Sequence, residues 1–431
     1  MSTLKKIKKL ITTPYHYLIP VIGSFVYGKP SNKMIIIGIT GTKGKTSAAN
    51  YIWSVLTAAG HKTGLIGTAN IRIGQEESMN PYHMTMPGKT IIQNLLKKML
   101  NDGCEYAIVE TTSEGIKQWR HKAINYDTAI FTNLSPEHLD SHGSYDNYKK
   151  AKGQLFAALE KLPKKTLKGK TVLKTIIANT DDKEAEYYLH FPADKKITFG
   201  INNAADIKAE QIKLAPFSSE FVVNGLNYKL NLPGDFNIYN ALAAIAVAKN
   251  FDLPQSAVVK GLADLRTIPG RMEKIEAGQD FITLVDYAHE EKSMTAAIKA
   301  TREMTIGKVI VLLGAEGGGR DKAKRPAMGK VAGELADYVV VSNVDPYEDD
   351  PKPIIEDIAT AAEAVGKIEG TNLFRVEDRR VGIAKALSLA AKDDVVLITG
   401  KGAEQFITIG GARSPWDDRQ VVKEEIEKLI N

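Results

Sequence analysis

The residues with the clearest chemical potential form the run Gly41-Thr-Lys-Gly-Lys-Thr46. Glycines let backbone N–H groups approach phosphate oxygens, and a helix starting just beyond them adds a favourable dipole. Lys45 can reach the β- and γ-phosphates of a nucleotide, and the Thr46 hydroxyl can ligate Mg²⁺. Gly41, Thr42, Lys43, Gly44 and Ser47 complete the lining. The full phosphate-loop spacing would put another glycine at position 39, where Ile39 stands, so the loop is a shortened variant. A second group begins at Glu110, followed by Thr111, Thr112 and Ser113. A third is Asn133-Leu-Ser-Pro-Glu-His-Leu-Asp-Ser-His142. Mg²⁺ prefers oxygen ligands and keeps several waters. Glu110 offers the carboxylate and His138 a less usual nitrogen, although a capping network would also account for Glu110. Lys152 falls within a helical stripe of Tyr145, Tyr148, Leu155, Phe156 and Leu159, where a lysine ordinarily snorkels its ammonium to water.

These groups need elements to hold them. Met34–Ile39 reads as a buried parallel strand and Thr46–Ala59 as the helix after it; Tyr106–Glu110 and Thr128–Thr132 read as further strands. Parallel strands deliver their carboxyl ends to one edge, which brings the three groups together. Asn224-Gly225 predicts a hairpin turn inside residues 221–230. A second alternating series has strands over 281–287, 308–314, 338–342 and 394–400, with helices between them. The expected fold is α/β: a central phosphate-loop ATPase-type parallel sheet with a β-hairpin insertion, plus a C-terminal Rossmann-like doubly wound sheet. Expected boundaries are a short segment 1–32, a central domain 33–268 and a C-terminal domain 269–431.

The 431 residues, 43% hydrophobic and 25% charged, suit a multi-domain globular chain and argue against disorder. A single cysteine, Cys104, excludes a disulfide framework and a cysteine zinc site and fits a reducing cytoplasm. The net charge of +6 suits small anionic substrates, and no motif points to nucleic acid. Lys5 to Lys9 form a basic stretch before the apolar run Tyr15–Tyr27. That run is broken by Pro20 and Gly23 and is shorter than the roughly 20 residues that span a bilayer, so a packed or peripheral segment is expected, with membrane contact as the alternative.

Further motifs extend the pattern: Tyr148-Lys-Lys-Ala-Lys-Gly-Gln-Leu-Phe156, Leu232-Pro-Gly-Asp-Phe-Asn-Ile-Tyr-Asn240, Pro269-Gly-Arg-Met-Glu273, Val285-Asp-Tyr-Ala-His289, Gly319-Arg-Asp-Lys-Ala-Lys-Arg-Pro326 and Gly400-Lys-Gly-Ala-Glu404. Over roughly residues 35–420 the series resembles the Mur ligase family, most closely the branch that adds the third residue of the peptidoglycan stem peptide. The resemblance implies an ATP- and Mg²⁺-dependent carboxylate–amine ligase working through an acyl phosphate in the cytoplasm, as a monomer. Its substrates would be a UDP-MurNAc-dipeptide and diaminopimelate or lysine. It implies that Lys45 holds the ATP phosphates, that Thr46 and Glu110 bind one Mg²⁺, and that His138 helps hold a second. Lys152 matches a lysine carbamylated by CO₂ into an anionic metal ligand. Asn133, Asn237, Asn240, Arg271 and Asp286 would serve the nucleotide. Ser113, Arg120, His289, Arg320, Asp345, Tyr347, Gly400 and Glu404 would face the substrates.

Read without the family, Asn237 and Asn240 are helix caps, Asp286 a strand-end cap and Gly400 a strand-to-helix turn. The sequence also departs from the family. Residues 1–32 stand in place of its uridine-binding N-terminal domain, and Tyr347 replaces the arginine of the diaminopimelate-selecting motif. Ala403 and Glu290-Glu-Lys292 stand where His and Thr-Pro-Asp are usual. Folylpolyglutamate- or cyanophycin-type amide ligation is the nearer alternative, and a non-catalytic nucleotide-binding subunit the more distant one.

Overall fold

The computed structural model describes residues 17–82, 84–88, 90–136 and 139–430, in two compact units. The first runs to Leu265, except that Leu214–Ser219 and Asn231–Gly234 group with the second, which continues from Arg266.

In the first unit a helix over residues 17–26 (α1) precedes β1 (Ile35–Thr40), α2 (Lys45–Ala58), β2 (Thr63–Ile66), β3 (Asn70–Ile73) and β4 (Glu76–Met79). Then come α3 (Ile91–Asn101), β5 (Tyr106–Glu110), α4 (Ser113–Lys117), β6 (Thr128–Phe131), α5 (Leu139–His142) and α6 (Tyr145–Lys161). A small hairpin of β7 (Lys165–Leu167) and β8 (Lys170–Val172) leads to β9 (Thr175–Asn179), α7 (Ala185–Leu189), β10 (Lys195–Gly200) and β11 (Ile207–Lys208). An antiparallel sheet of β12 (Glu210–Ala215), β13 (Ser218–Val223) and β14 (Leu226–Leu230) follows, then α8 (Phe236–Asn250) and α9 (Gln255–Asp264). The expected hairpin is β13–β14, turning through Asn224 (φ 50) and Gly225 (φ 79). Positive φ at both positions suits the twist of a two-residue connection.

The main sheet has the order β11-β10-β9-β6-β1-β5-β2-β3-β4. β1 is apolar and buried almost throughout, as a strand covered on both faces must be. Its parallel partners are β5 and β6, in a register that sets Ile39 opposite Glu110 and Thr40 opposite Phe131. The loop after β1 therefore lies between the carboxyl ends of its two neighbours. β3 and β4 add an antiparallel edge. Ser144 starts α6 by accepting a hydrogen bond from the Asn147 N–H, and Tyr148, Lys152, Leu155, Phe156 and Leu159 form its buried stripe.

The second unit holds β15 (Glu273–Lys274), β16 (Ile282–Val285), α10 (Glu291–Arg302), β17 (Val309–Leu313), α11 (Lys324–Leu335) and β18 (Tyr338–Val341). It continues with α12 (Pro351–Glu363), β19 (Leu373–Arg375), α13 (Arg379–Ser388), β20 (Val395–Ile398), β21 (Phe406–Ile409), β22 (Ala412–Pro415) and α14 (Asp418–Ile430). The sheet order is β15-β16-β20-β17-β18-β19, parallel except for β15, so the expected doubly wound arrangement is present. One buried cation ties α13 to the start of α14. The Arg379 guanidinium donates to both Asp418 oxygens (2.8 and 2.5 Å) and to the carbonyls of Asn343 (2.9 Å) and Thr399 (2.8 Å). Among the described residues, no helix is long and apolar enough to cross a membrane.

Candidate functional site

The first-unit site is built around the loop Gly41–Gly44. Gly41 and Gly44 have φ of 153° and 79°, and added Cβ atoms would sit 1.9 Å from Thr132 Oγ1 and 2.5 Å from Asn240 Oδ1. Both glycines are therefore required by close approach as well as by backbone conformation. Residues after β6 brace the loop. Asn133 accepts from Lys43 N–H (2.9 Å) and donates to Lys43 O (3.1 Å), and Thr132 Oγ1 also donates to Lys43 O (2.7 Å). Thr42 N–H donates to Asn133 O (2.8 Å), and Thr42 Oγ1 accepts from Ser135 N–H (3.0 Å) and lies 3.2 Å from Tyr148 Oη. Lys45 arches back over the loop, donating to Gly41 O (2.9 Å) and Thr42 O (2.7 Å).

Across the loop, Glu110 is fully buried. Its carboxylate accepts from Thr46 Oγ1 (3.1 Å), Thr68 N–H (2.9 Å) and Thr68 Oγ1 (2.9 Å). The structure thus unites Thr46 and Glu110 and adds Thr68, which no sequence pattern marked because it stands in a turn after β2. A carboxylate with two hydroxyls beside a phosphate loop is an oxygen donor set that fits a hard divalent cation. Among the described residues no three or more His, Cys, Asp or Glu are placed together to hold a metal ion, so protein donors here would be few, as Mg²⁺ sites allow. His138 lies outside the described residues.

Lys152 corrects the snorkelling expectation. It is 2% exposed, and its ammonium points inward, 2.8 Å from Gly41 O and 4.5 Å above the Tyr148 ring. The phosphate loop, not solvent, receives its charge. The capping reading of Asn237 and Asn240 is likewise overturned. Asp235 is the N-cap of α8, and both asparagines are buried inside the helix, with Asn240 Nδ2 donating to Asn237 Oδ1 (3.1 Å). Asn240 faces Gly44. Ser47 and Ser113 are buried in the first turns of α2 and α4, where Thr112 is the cap, accepting from Gly115 N–H. Arg120 donates to the Met86 carbonyl and to Gln118, and burial holds its pKa below the usual arginine value.

Gly44→Ala is expected to weaken nucleotide binding at least about tenfold, since a Cβ at positive φ costs roughly 1–2 kcal/mol before its clash with Asn240. Titration calorimetry with ATP, alongside a melting profile, checks this.

In the second unit the expected residues cluster around Lys401, which sequence reading missed. Its fully buried ammonium donates to Asp345 Oδ2 (2.7 Å) and Glu404 Oε2 (2.9 Å). Burial opposes that charge, but Glu404 and Asp345 outweigh it and raise the Lys401 pKa. Burial pushes the Glu404 carboxyl up, with Lys401 pulling the other way. Tyr287 Oη lies 3.4 Å from Glu404, and the Arg271 guanidinium stacks 4.4 Å over the Tyr287 ring. His289 Nδ1 is 2.8 Å from Tyr287 O. Asp286 accepts from the Met272 and Ala288 N–H groups (both 2.8 Å), the geometry of the strand-end cap. Tyr347 (φ 55) hydrogen-bonds Arg320, whose charge is reinforced first by Glu316, 3.8 Å away. Gly400 (φ 109) ends β20, but the expected strand-to-helix turn is corrected: the chain proceeds into the hairpin β21–β22.

The parallel sheet and its braced phosphate loop define an α/β nucleotide-binding protein of the phosphate-loop class. Residues 39–248 match the Mur ligase middle domain, and residues 270–402 the Mur ligase, glutamate ligase domain. A UDP-N-acetylmuramoyl-L-alanyl-D-glutamate–2,6-diaminopimelate ligase of Geobacillus kaustophilus is 35% identical over 418 residues, covering 95% of this chain and 82% of that one. One of Clostridium acetobutylicum is 37% identical, with coverage of 95% and 82%. A solved structure of a ligase of that name aligns with TM-score 0.60 at 26% identity, over 93% of this chain and 79% of that one. Mycobacterium tuberculosis folylpolyglutamate synthase, complexed with ADP and AMPPCP, aligns with TM-score 0.70 over 99% and 98% of the chains; at 18% identity this is likeness of fold alone. The chain belongs to the Mur ligase family.

Proposed function

We propose that the chain is an ATP-dependent acid–amino-acid ligase adding diaminopimelate or lysine to the glutamyl carboxylate of UDP-MurNAc-L-Ala-D-Glu. The observation that carries this reading is the convergence of Lys45, Thr46, Glu110 and Lys152 on one loop, in a chain whose relatives bear that activity in their names. A carboxylate is a poor acylating agent, so it is first phosphorylated by ATP; the amine then attacks the acyl phosphate and phosphate leaves. In this reading the Gly41–Gly44 N–H groups and Lys45 hold the transferring phosphates and neutralise their charge. Thr46 and Glu110, with Thr68 beside them, would hold Mg²⁺, which supplies further neutralisation when bound.

Lys152 is proposed to be carbamylated. Its ammonium would give up one proton, and the free amine Nζ would then bond to CO₂ carbon and release a second, so that a buried cation becomes an anion while keeping an N–H for Gly41 O. In the second unit, Lys401 and Glu404 are proposed to serve the incoming amino acid. Tyr347 stands where the diaminopimelate-selecting arginine is usual, with the Arg320 guanidinium beside it as a partner for a distal carboxylate.

The test is phosphate release from ATP with Mg²⁺ and UDP-MurNAc-L-Ala-D-Glu, with lysine and diaminopimelate in parallel. Release dependent on both acceptor and one amino acid is expected. Release with folate and glutamate instead would establish the folylpolyglutamate-type alternative.

A further inference from the structure

Helix α1 is packed inside out. Its buried side consists of Pro20, Gly23 and Ser24, and a Cβ on Gly23 would come within 2.8 Å of Thr90 Cγ2. The opposite side presents Leu18 (51% exposed), Ile22 (55%), Phe25 (64%) and Val26 (74%), spaced to form one apolar stripe. A helix that only needed to pack on its own domain would turn these large side chains inward. The sequence around the helix is basic. Residues 1–33 contain six lysines (Lys5, Lys6, Lys8, Lys9, Lys29 and Lys33) and no acid; the first acidic residue is Glu76. With 57 Lys and Arg against 51 Asp and Glu overall, the rest of the chain balances at 51 each, so this segment carries the whole net charge of +6. Lys29 lies 4.3 Å over the Phe25 ring, at the edge of the stripe.

We propose that α1 docks on an anionic lipid surface, its apolar stripe inserted at the headgroup boundary and its flanking lysines on the phosphates. An amphipathic helix with lysines beside an aromatic and aliphatic face binds in this way, each lysine near the surface adding roughly fivefold to partitioning. A second copy of the chain would bring the same positive segment against itself. Nucleic acid would satisfy the lysines but offer nothing to the apolar stripe.

The test is flotation of the full chain with vesicles of phosphatidylcholine, with and without phosphatidylglycerol. The expected result is binding only to vesicles with phosphatidylglycerol, falling as salt rises. Ile22→Gln with Phe25→Gln, and separately Lys5, Lys6, Lys8 and Lys9→Gln, should each weaken binding at least about tenfold. Phosphate release in solution and circular dichroism should be unchanged in both. The proposal is overturned by no wild-type partitioning at low salt, by equal partitioning of the variants, or by a wild-type dimer in sedimentation that Ile22→Gln with Phe25→Gln converts to monomer. This inference stands independently of the ligase reading.

Discussion

Lys152→Ala is expected to lower phosphate release by at least about a thousandfold while the protein stays folded. The side chain is buried where α6 meets the phosphate loop, and its nitrogen shares Gly41 O with Lys45. Truncation leaves that carbonyl the Lys45 bond, so the cost to folding is about that of one buried hydrogen bond and some alkyl packing, roughly 1–3 kcal/mol. Lys152→Arg separates the two roles: it keeps a cation but cannot carry a carbamate, and it is expected to be as inactive as alanine. Lys150, exposed and paired with Asp146 (2.6 Å), is the control, and Lys150→Ala should stay within about twofold of wild type. Depletion of CO₂ should slow the wild-type protein and leave the variants unaffected. Full activity in Lys152→Ala, with folding verified by circular dichroism, would sink the assignment.

The largest stability effect is expected at Arg379. Arg379→Met removes four hydrogen bonds and leaves the Asp418 carboxylate buried beside an apolar side chain. Breaking a buried pair by removing one partner costs about 3–5 kcal/mol. Trp416 Nε1 still donates to Asp418 (2.7 Å), which moderates the loss without replacing the cation. Chemical denaturation should show the destabilisation in the transition of the second unit. Its half-buried neighbour Arg380, paired with Glu424 and Glu425, should change stability by less than about 1 kcal/mol when made alanine.

Both sheets were legible in the sequence because their central strands, such as β1, β5 and β17, are nearly continuous apolar runs buried on both faces. The phosphate loop and the β13–β14 turn were legible because each demands glycine at defined positions. Short antiparallel pieces were not: β4 is largely exposed and carries Glu76 and Glu77, so no apolar alternation marks it. Thr68 and Lys401 escaped for another reason. A threonine in a turn and a lysine beside glycines look solvated in one dimension, and only tertiary contacts bury the lysine and aim the threonine at Glu110. The direction of Lys152 was misread for the same reason, since a helical stripe gives the face but not what lies above it. Asn237 and Asn240 read as caps because their neighbour Asp235, the actual cap, was given no role.

The flanking of β1 by β5 and β6 also has a consequence for how the protein acquires its site. Thr46 meets Glu110 across 64 residues, Thr42 meets Ser135 across 93, and Lys152 meets Gly41 across 111. Chain closure over such spans precedes any stabilising contact, so pairings of this kind form slowly. Helical signal in refolding should therefore return before the capacity to bind nucleotide, because no fragment ending before α6 contains all the walls of the loop. Nucleotide capture thus serves as a clock for the last long-range step of folding in the first unit.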